Sequence, residues 1–226
     1  MLAGGGHSHA LVLMRWAMKP HLKPKGLITL INRNSTTIYS GMFPGLLAGN
    51  YQFREVLIDL RLLADKAGVS FVVGEISSLD LCRNKISVEG RLPPLGFSKI
   101  SIDVGSDNRL TKDYLRMVQN KKFVLPIRPF SKSFEWIKRL DCDSRFDQSH
   151  SFNIIGSGLS AIEIAFALRE RWPNRKLRLQ ALPHKLNQRF KRALQLSRIE
   201  VSYPRKNFNG PALICTGSQA PKWLKD

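Results

Sequence analysis

The sequence predicts an α/β fold of two strand–turn–helix units with a small antiparallel addition, and three observations predict it. Residues 152–168 read FNIIGSGLSAIEIAFAL, which is a short apolar strand, a glycine turn and a helix start in one stretch. An imperfect second copy opens the chain as Gly4, Gly5, Gly6, His7, Ser8 and His9. Elsewhere, apolar runs of strand length alternate with amphipathic stretches, the pattern of parallel strands connected by helices.

The stretch at 152–168 carries the most information. Phe152, Asn153, Ile154 and Ile155 form the strand, and Gly156, Gly158 and Ala161 then fall in the order G-x-G-x-x-A. The first small residue permits a tight turn, the second lets backbone approach a pyrophosphate, and the third lets the helix lie close against the sheet. Ser157, Leu159 and Ser160 fill the turn, and Ile162, Ala165 and Phe166 continue at helical spacing until Pro173 forbids more. A helix entered this way aims its free N–H groups and positive dipole end at an anion. The pattern is that of a Rossmann-like dinucleotide unit.

In the opening copy Gly4 and Gly6 satisfy the first two fingerprint positions, but His9 stands at the third, where a small residue is expected. Only Met1, Leu2 and Ala3 precede the glycines, so the strand is short or frayed. The following helix, through Leu11, Val12, Met14, Arg15 and Trp16, ends before Pro20. His7 and His9, two apart at a helix start with no Cys, Asp or Glu nearby, are poorly placed to share a metal. A structural or phosphate-facing role suits them better.

Residues 26–32 (GLITLIN) predict the second strand, with Asn32 where a ribose-binding acid is expected. An amide can still bond a ribose hydroxyl. Gly41, Pro44, Gly45 and Gly49 mark 37–51 as a close-packed loop, apolar enough to line a pocket. Residues 53–67 predict one amphipathic helix ended by Gly68, and 69–73 a strand. Residues 75–81 and 85–89 predict an antiparallel hairpin turning at Arg83 and Asn84, and 99–104 another strand. The charged stretch 107–122 shows no clear period and predicts a connection at a domain boundary. Beyond it follow a strand at 123–128, a helix at 131–140, a polar stretch at 141–151, a strand at 176–181, a helix at 185–198, and short strands at 199–203 and 212–215. The strand at 176–181 ends in Gln180 and Ala181 with no acid, while Arg175, Lys176 and Arg178 permit NADP without establishing it.

Composition sets the remaining bounds. The 226 residues, 43% hydrophobic and 23% charged, suit a globular protein with a substantial core. No run is long enough to span a bilayer and no signal-peptide order opens the chain, so a cytoplasmic location is expected. Cys82, Cys142 and Cys215 are widely spaced, with no C-x-x-C, which argues against a redox-active disulfide and a structural zinc. The net charge of +19 concentrates between Arg169 and Lys206, where 12 basic residues face only Glu170 and Glu200. Such a surface attracts phosphate-rich partners, including anionic membrane headgroups. Nucleic-acid binding is disfavoured, because no zinc-finger spacing or aromatic RNA-binding signature accompanies the charge.

Five collinear segments resemble a known family. GGGHSHA at the start, YSGMFPG at 39–45, SIDVGS at 101–106, IIGSGLSAIEIAFAL, and ICTGSQAPKWL at 214–224 are similar to the FAD-dependent pyridine nucleotide oxidoreductases. Within them they resemble the type II NADH dehydrogenase-like flavoproteins, and most of all the module found fused to selenide, water dikinase. The resemblance implies two Rossmann-like FAD/NAD(P)-binding units, residues 1–110 for FAD and 123–226 for NADH or NADPH. It implies that Gly4, Gly5, Gly6, His7 and Ser8 meet the FAD pyrophosphate, that Asn32 meets its ribose, and that Ser40, Gly41 and Met42 lie near the isoalloxazine. Gly156, Ser157, Gly158, Leu159 and Ser160 would hold the nicotinamide dinucleotide, with Glu163 toward the nicotinamide and Gly217 in the closing turn. Hydride would then pass from NAD(P)H to flavin and on to an acceptor such as a quinone. No catalytic side chain and no metal is implied.

In that family a strand and a G-D segment return to the FAD unit, followed by an interface domain, and neither follows residue 226 here. The second unit is also short between Gln180 and Ile214. An incomplete FAD site is therefore expected, either completed by a partner chain or homo-oligomer, or left as a non-catalytic remnant that binds dinucleotide weakly.

Overall fold

The computed structural model describes residues 1–120, 123–143, 150–205, 208 and 210–224. Two compact units emerge: Met1–Tyr39, Leu57–Asp107 and 220–224 form the first, and Ser40–Val56 with Asn108–Gln219 form the second.

In the first unit β1 (Leu2–Ala3) runs into α1 (His7–Met18), followed by β2 (Thr29–Asn32) and β3 (Thr36–Ile38). The chain then contributes α2 (Phe43–Ala48) to the second unit before returning as β4 (Leu57–Asp59), α3 (Leu60–Lys66) and β5 (Ser70–Val73). Next come β6 (Ile76–Asp80), β7 (Lys85–Val88), β8 (Arg91–Gly96) and β9 (Ser101–Ile102). The main sheet is parallel in the order β5-β2-β1-β9, so even the two-residue β1 is paired on both sides. Strand alternation splits its residues between two cores. Leu2 and Leu30 pack with Leu13, Leu60 and Ala64, while Ala3 and Ile31 pack with Ile76, Ile86 and Val88 and with the partly buried Trp223.

Three readings of this region need correction. Residues 37–51 contain a helix, because Pro44 stands in the first turn of α2, where its missing N–H costs nothing, and Gly49 closes it at φ +95°. The same breakers that suggest a loop therefore bound a helix. The single helix at 53–67 is a 3-10 turn, then β4 paired antiparallel with β3, then α3, which starts where the Asp59 carboxylate accepts from Leu62 N–H at 2.9 Å. The hairpin β6-β7 gains an edge strand, β8, whose two prolines disguised it.

The chain passes from the first unit to the second within β10 (Asp107–Asn108), and the second continues with α4 (Lys112–Asn120), β11 (Val124–Pro126), α5 (Phe130–Cys142), β12 (Phe152–Ile155) and α6 (Leu159–Arg171). Then come β13 (Leu177–Gln180), α7 (Gln188–Leu196), β14 (Ile199–Ser202), β15 (Ala212–Ile214) and β16 (Ser218–Gln219). Its parallel sheet has the order β11-β15-β12-β13-β14. Counted from each glycine motif's own strand, the first sheet reads 3-2-1-4, the Rossmann order, and the second reads the same with β11 added beyond β15. Residues 107–122 prove to hold α4 as well as a connection. Tyr114, Met117 and Val118 make a narrow apolar stripe that packs on Val124, Ile155, Ala212 and Ile214, and the surrounding charge hides its period. Most of the polar stretch 141–151 lies outside the described residues.

Segment 40–56 is held in this unit by side chains buried at Phe43, Leu46 and Leu47. The Phe43 and Phe130 rings lie 4.3 Å apart, and Arg171 donates to the Leu47 carbonyl at 3.0 Å. Much of the basic excess is likewise committed to structure. Arg171 pairs with Asp141, Arg178 with Glu200 across β13 and β14, and the guanidinium of the buried Arg175 stacks over Trp172 at 4.6 Å. Arg169 donates to five carbonyls, those of Trp172, Pro173, Arg175, Ser197 and Arg198, at 2.8–2.9 Å. Burial, and after it the charge of Arg198, pulls the Arg169 pKa down. Among the described residues no helix is long and apolar enough to cross a membrane.

Cys215 is buried at the end of β15, and burial alone raises its thiol pKa above the ordinary 9.0, while Cys82 and Cys142 are exposed. A thiol reagent at about pH 8 should therefore label two thiols in the folded protein and the third only after unfolding. The unfolded chain releases the Cys215 proton at alkaline pH while the folded chain keeps it, so stability should fall above about pH 9. Rapid labelling of all three in the folded state would refute the burial.

Candidate functional site

Where strand order reverses in an open α/β sheet, a crevice opens at the carboxyl ends of the strands. In the second unit that point lies between β12 and β15, and residues 156–160 leave β12 there. Gly156 has φ +155°, and a Cβ on it would stand 2.7 Å from the Cys215 carbonyl oxygen and 3.0 Å from Ala161 Cβ. Ala161 is fully buried, as the third fingerprint position requires. Gly158 is different in kind. Its backbone is ordinary extended chain, φ −89°, and a Cβ on it would meet nothing within 4 Å. It faces open space at the N-terminus of α6.

The loop's hydrogen bonds leave that space lined with donors. Gly156 N–H reaches the Gln180 carbonyl at 3.0 Å, and Ala161 N–H the Gly158 carbonyl at 3.1 Å. The Ser157 hydroxyl accepts from Leu182 N–H at 2.8 Å, which ties the loop to the end of β13. Among the described residues, no acceptor is bonded to the N–H groups of Ser157, Gly158, Leu159 or Ser160. Consecutive free amides at a helix N-terminus form an anion-binding nest.

The nest opens into a cavity of 720 Å³, a size that suits a cofactor. The walls bring together several residues singled out from the sequence: Ser40, Gly41, Gly156, Ser157, Gly158, Ser160, Glu163 and Gly217. Met42 caps the start of α2 beside this wall, and Leu159 begins α6 with its side chain 63% exposed. Arg128, Lys185, Asn108, Tyr114 and Thr216 also line the cavity and lack any motif that marks them in the sequence. Burial, with the Asp113 charge behind it, raises the Tyr114 pKa. Gln180 lines the wall with its side chain turned inward, donating to Asn153 Oδ1 and accepting from Arg205 N–H, both at 2.9 Å.

The first unit's glycine loop is built otherwise. Gly5 N–H donates to Asn32 Oδ1 at 2.8 Å, and Asn32 Nδ2 donates to the Asn34 carbonyl at 2.8 Å. Gly6 N–H reaches the Asp103 carbonyl at 2.9 Å, and the Asp103 carboxylate accepts from His9 N–H at 3.0 Å. That carboxylate fills the space where a Cβ on Gly6 would stand. His9, the large residue at the small-residue position, is 3% exposed, with Nδ1 2.7 Å from the Gly4 carbonyl and Nε2 2.8 Å from the Ser101 hydroxyl. It therefore replaces close packing by a pair of polar contacts. Among the described residues the N–H groups of His7 and Ser8 keep no bonded acceptor, and the His7 ring stacks on Tyr39 at 4.7 Å. The first loop thus offers two free amides where the second offers four. Among the described residues no group of three His, Cys, Asp or Glu is placed to hold a metal.

No protein-family model matches the chain. Over 171 residues it is 25% identical to the NADH dehydrogenase-like protein YutJ of Bacillus subtilis (strain 168), covering 75% of this chain and 44% of YutJ. Among solved structures, reduced CoADR-RHD of Bacillus anthracis superposes with a TM-score of 0.78 at 12% identity, over 99% of this chain and 44% of that one. The water-forming NADH oxidase of Lactobacillus brevis, bound to NADH, gives 0.72 at 13% identity over 96% and 53%. The chain spans about half the length of the proteins it matches. Its fold of two Rossmann-like units is shared with these solved structures, and its sequence is similar to an NADH dehydrogenase-like protein.

Proposed function

We propose that the chain is the dinucleotide-binding portion of an FAD-dependent NAD(P)H oxidoreductase. NADH or NADPH lies on the second unit's nest, with its pyrophosphate on the amides of residues 157–160. The observation that carries this reading is the open face of Gly158 above four free N–H groups in a cavity of 720 Å³. Ser40, Gly41 and Glu163 line the same cavity and would hold the nicotinamide ring there. FAD fits the first unit's loop on the amides of His7 and Ser8, with Asn32 and Asp103 keeping the loop in shape. Bound there, it supplies the two-electron acceptor that turns NAD(P)H binding into NAD(P)H oxidation, with an acceptor such as a quinone downstream. Similarity to YutJ supports the same reading.

A second reading is favoured by one observation. Asn32 and Asp103 take the N–H groups of Gly5, Gly6 and His9, leaving less of the first loop for a phosphate. On that reading the chain binds nicotinamide dinucleotide and retains no flavin by itself. An absorbance spectrum from about 300 to 600 nm, taken after incubation with FAD and desalting, separates the two. Retained flavin bands that bleach on adding NAD(P)H are the expected result. A colourless protein that still binds NAD(P)H would replace the first reading by the second.

A further inference from the structure

We propose that the second unit selects NADPH over NADH, and that Lys185 is the residue that recognises the 2′-phosphate. The proposal rests on the dinucleotide reading of the nest given above. It starts from what stands at the carboxyl end of β13, where a Rossmann unit meets the adenosine ribose. Discrimination for NADH there needs an acid to accept from the 2′-hydroxyl. The chain from Gln180 to Asn187 contains none. The Gln180 amide, 1% exposed, is spent on Asn153 and the Arg205 backbone.

What this edge offers instead is positive charge. Lys185 lines the same cavity as Gly158, at the end of a 3-10 turn, Pro183–Lys185. The turn is fixed by Lys185 N–H on the Leu182 carbonyl at 2.9 Å, and Leu182 N–H is in turn held by the Ser157 hydroxyl. The lysine is therefore anchored to the phosphate loop through two hydrogen bonds. Arg205 is brought to the same edge, because its N–H donates to Gln180 Oε1, and the preceding Pro204 lines the cavity. The cations that the sequence offers for this task are placed elsewhere. Arg175, Lys176 and Arg178 lie at the amino end or middle of β13, away from the ligand edge. Arg178 is paired with Glu200 and Arg175 is stacked on Trp172. Charge without an acid at this edge favours a ligand with the extra phosphate.

The test is equilibrium titration of the whole chain with NADPH and NADH, followed by dinucleotide fluorescence, with adenosine 2′,5′-bisphosphate and AMP as probes of the adenosine end alone. NADPH is expected to bind at least about tenfold tighter than NADH, and the bisphosphate tighter than AMP, with both preferences shrinking at high salt. Lys185→Ala should lower the NADPH to NADH affinity ratio about tenfold, Lys185→Arg should restore most of it, and Lys176→Ala should leave it unchanged. Equal affinity for the two dinucleotides, or a Lys185→Ala loss shared equally between them, overturns the proposal while leaving the dinucleotide reading intact. Failure of both dinucleotides to bind overturns the proposal and the reading together.

Discussion

Gly158→Asp is expected to make the protein no less stable and to cost it about 100-fold or more in NAD(P)H affinity. The two effects come from one geometry. A Cβ on Gly158 meets nothing within 4 Å, and its φ of −89° and ψ of 169° suit any residue. The position is the N-cap of α6, which has no side-chain cap of its own, so an Asp carboxylate there accepts from the helix's free amides and stabilises it by about 0.3 kcal/mol relative to glycine. Those are the amides assigned to the dinucleotide's pyrophosphate. The carboxylate occupies their site and repels its charge, and a 100-fold loss corresponds to about 2.7 kcal/mol. Thermal melting beside a fluorescence titration checks both halves. A variant that melts as the parent and binds NAD(P)H as the parent would remove the nest from the site. Gly156→Ala should do the reverse and fail in folding, since its Cβ would stand 2.7 Å from the Cys215 carbonyl oxygen.

The second large effect is expected at Arg169. Its guanidinium closes the carboxyl end of α6 and joins it to the approach of β13 and to residues 197 and 198 ahead of β14. Helix ends leave carbonyls unpaired, and a cation there also meets the negative end of the helix dipole. Arg169→Ala leaves five carbonyls without this donor. Water reaches some of them, so the loss is a fraction of the sum of five bonds, about 3 kcal/mol. For a chain of this size that lowers Tm by roughly 6–12 °C. Arg169→Lys should recover less than half, because one ammonium cannot reach carbonyls on so many sides. A change in Tm under about 2 °C for Arg169→Ala would show that solvent replaces the guanidinium fully.

The second unit's strand, turn and helix were legible in the sequence almost to the residue, because each local signal there agrees with the sheet it serves. Phe152 to Ile155 are apolar, Gly156 stands at a positive φ, and Pro173 follows the helix. The glycine loop of the site was legible for the same reason. Legibility failed where two signals competed. Pro44 and Gly49 are breakers in isolation and helix boundaries in context, and Asp59 stops a strand and starts a helix inside what reads as one amphipathic run. The cavity's other residues were hidden for a different reason. Lys185, Arg128 and Tyr114 come from separate elements, and nothing in their own neighbourhoods says that they converge. Asn32 shows the same limit from the other side. Its position in the sequence suggests a ribose contact, whereas the structure commits its side-chain oxygen to Gly5 N–H.

The route of the chain through the two units bears on how it can fold during synthesis. Residues 40–56 leave the ribosome early, yet the aromatic and helical surfaces they pack on, Phe130, Phe134 and α6, are made up to 130 residues later. Trp223 contributes to the core around Ala3 and Ile31, so the first unit also waits for a side chain made after the second unit's sheet. Neither unit is a contiguous piece of polypeptide, and a single cut between residues 110 and 123 would strip each of a part it needs. Such a topology delays completion of both units until distant segments are made and makes long-range loop closure a rate-limiting entropy cost. Two-step, unit-by-unit unfolding should correspondingly give way to a single cooperative transition.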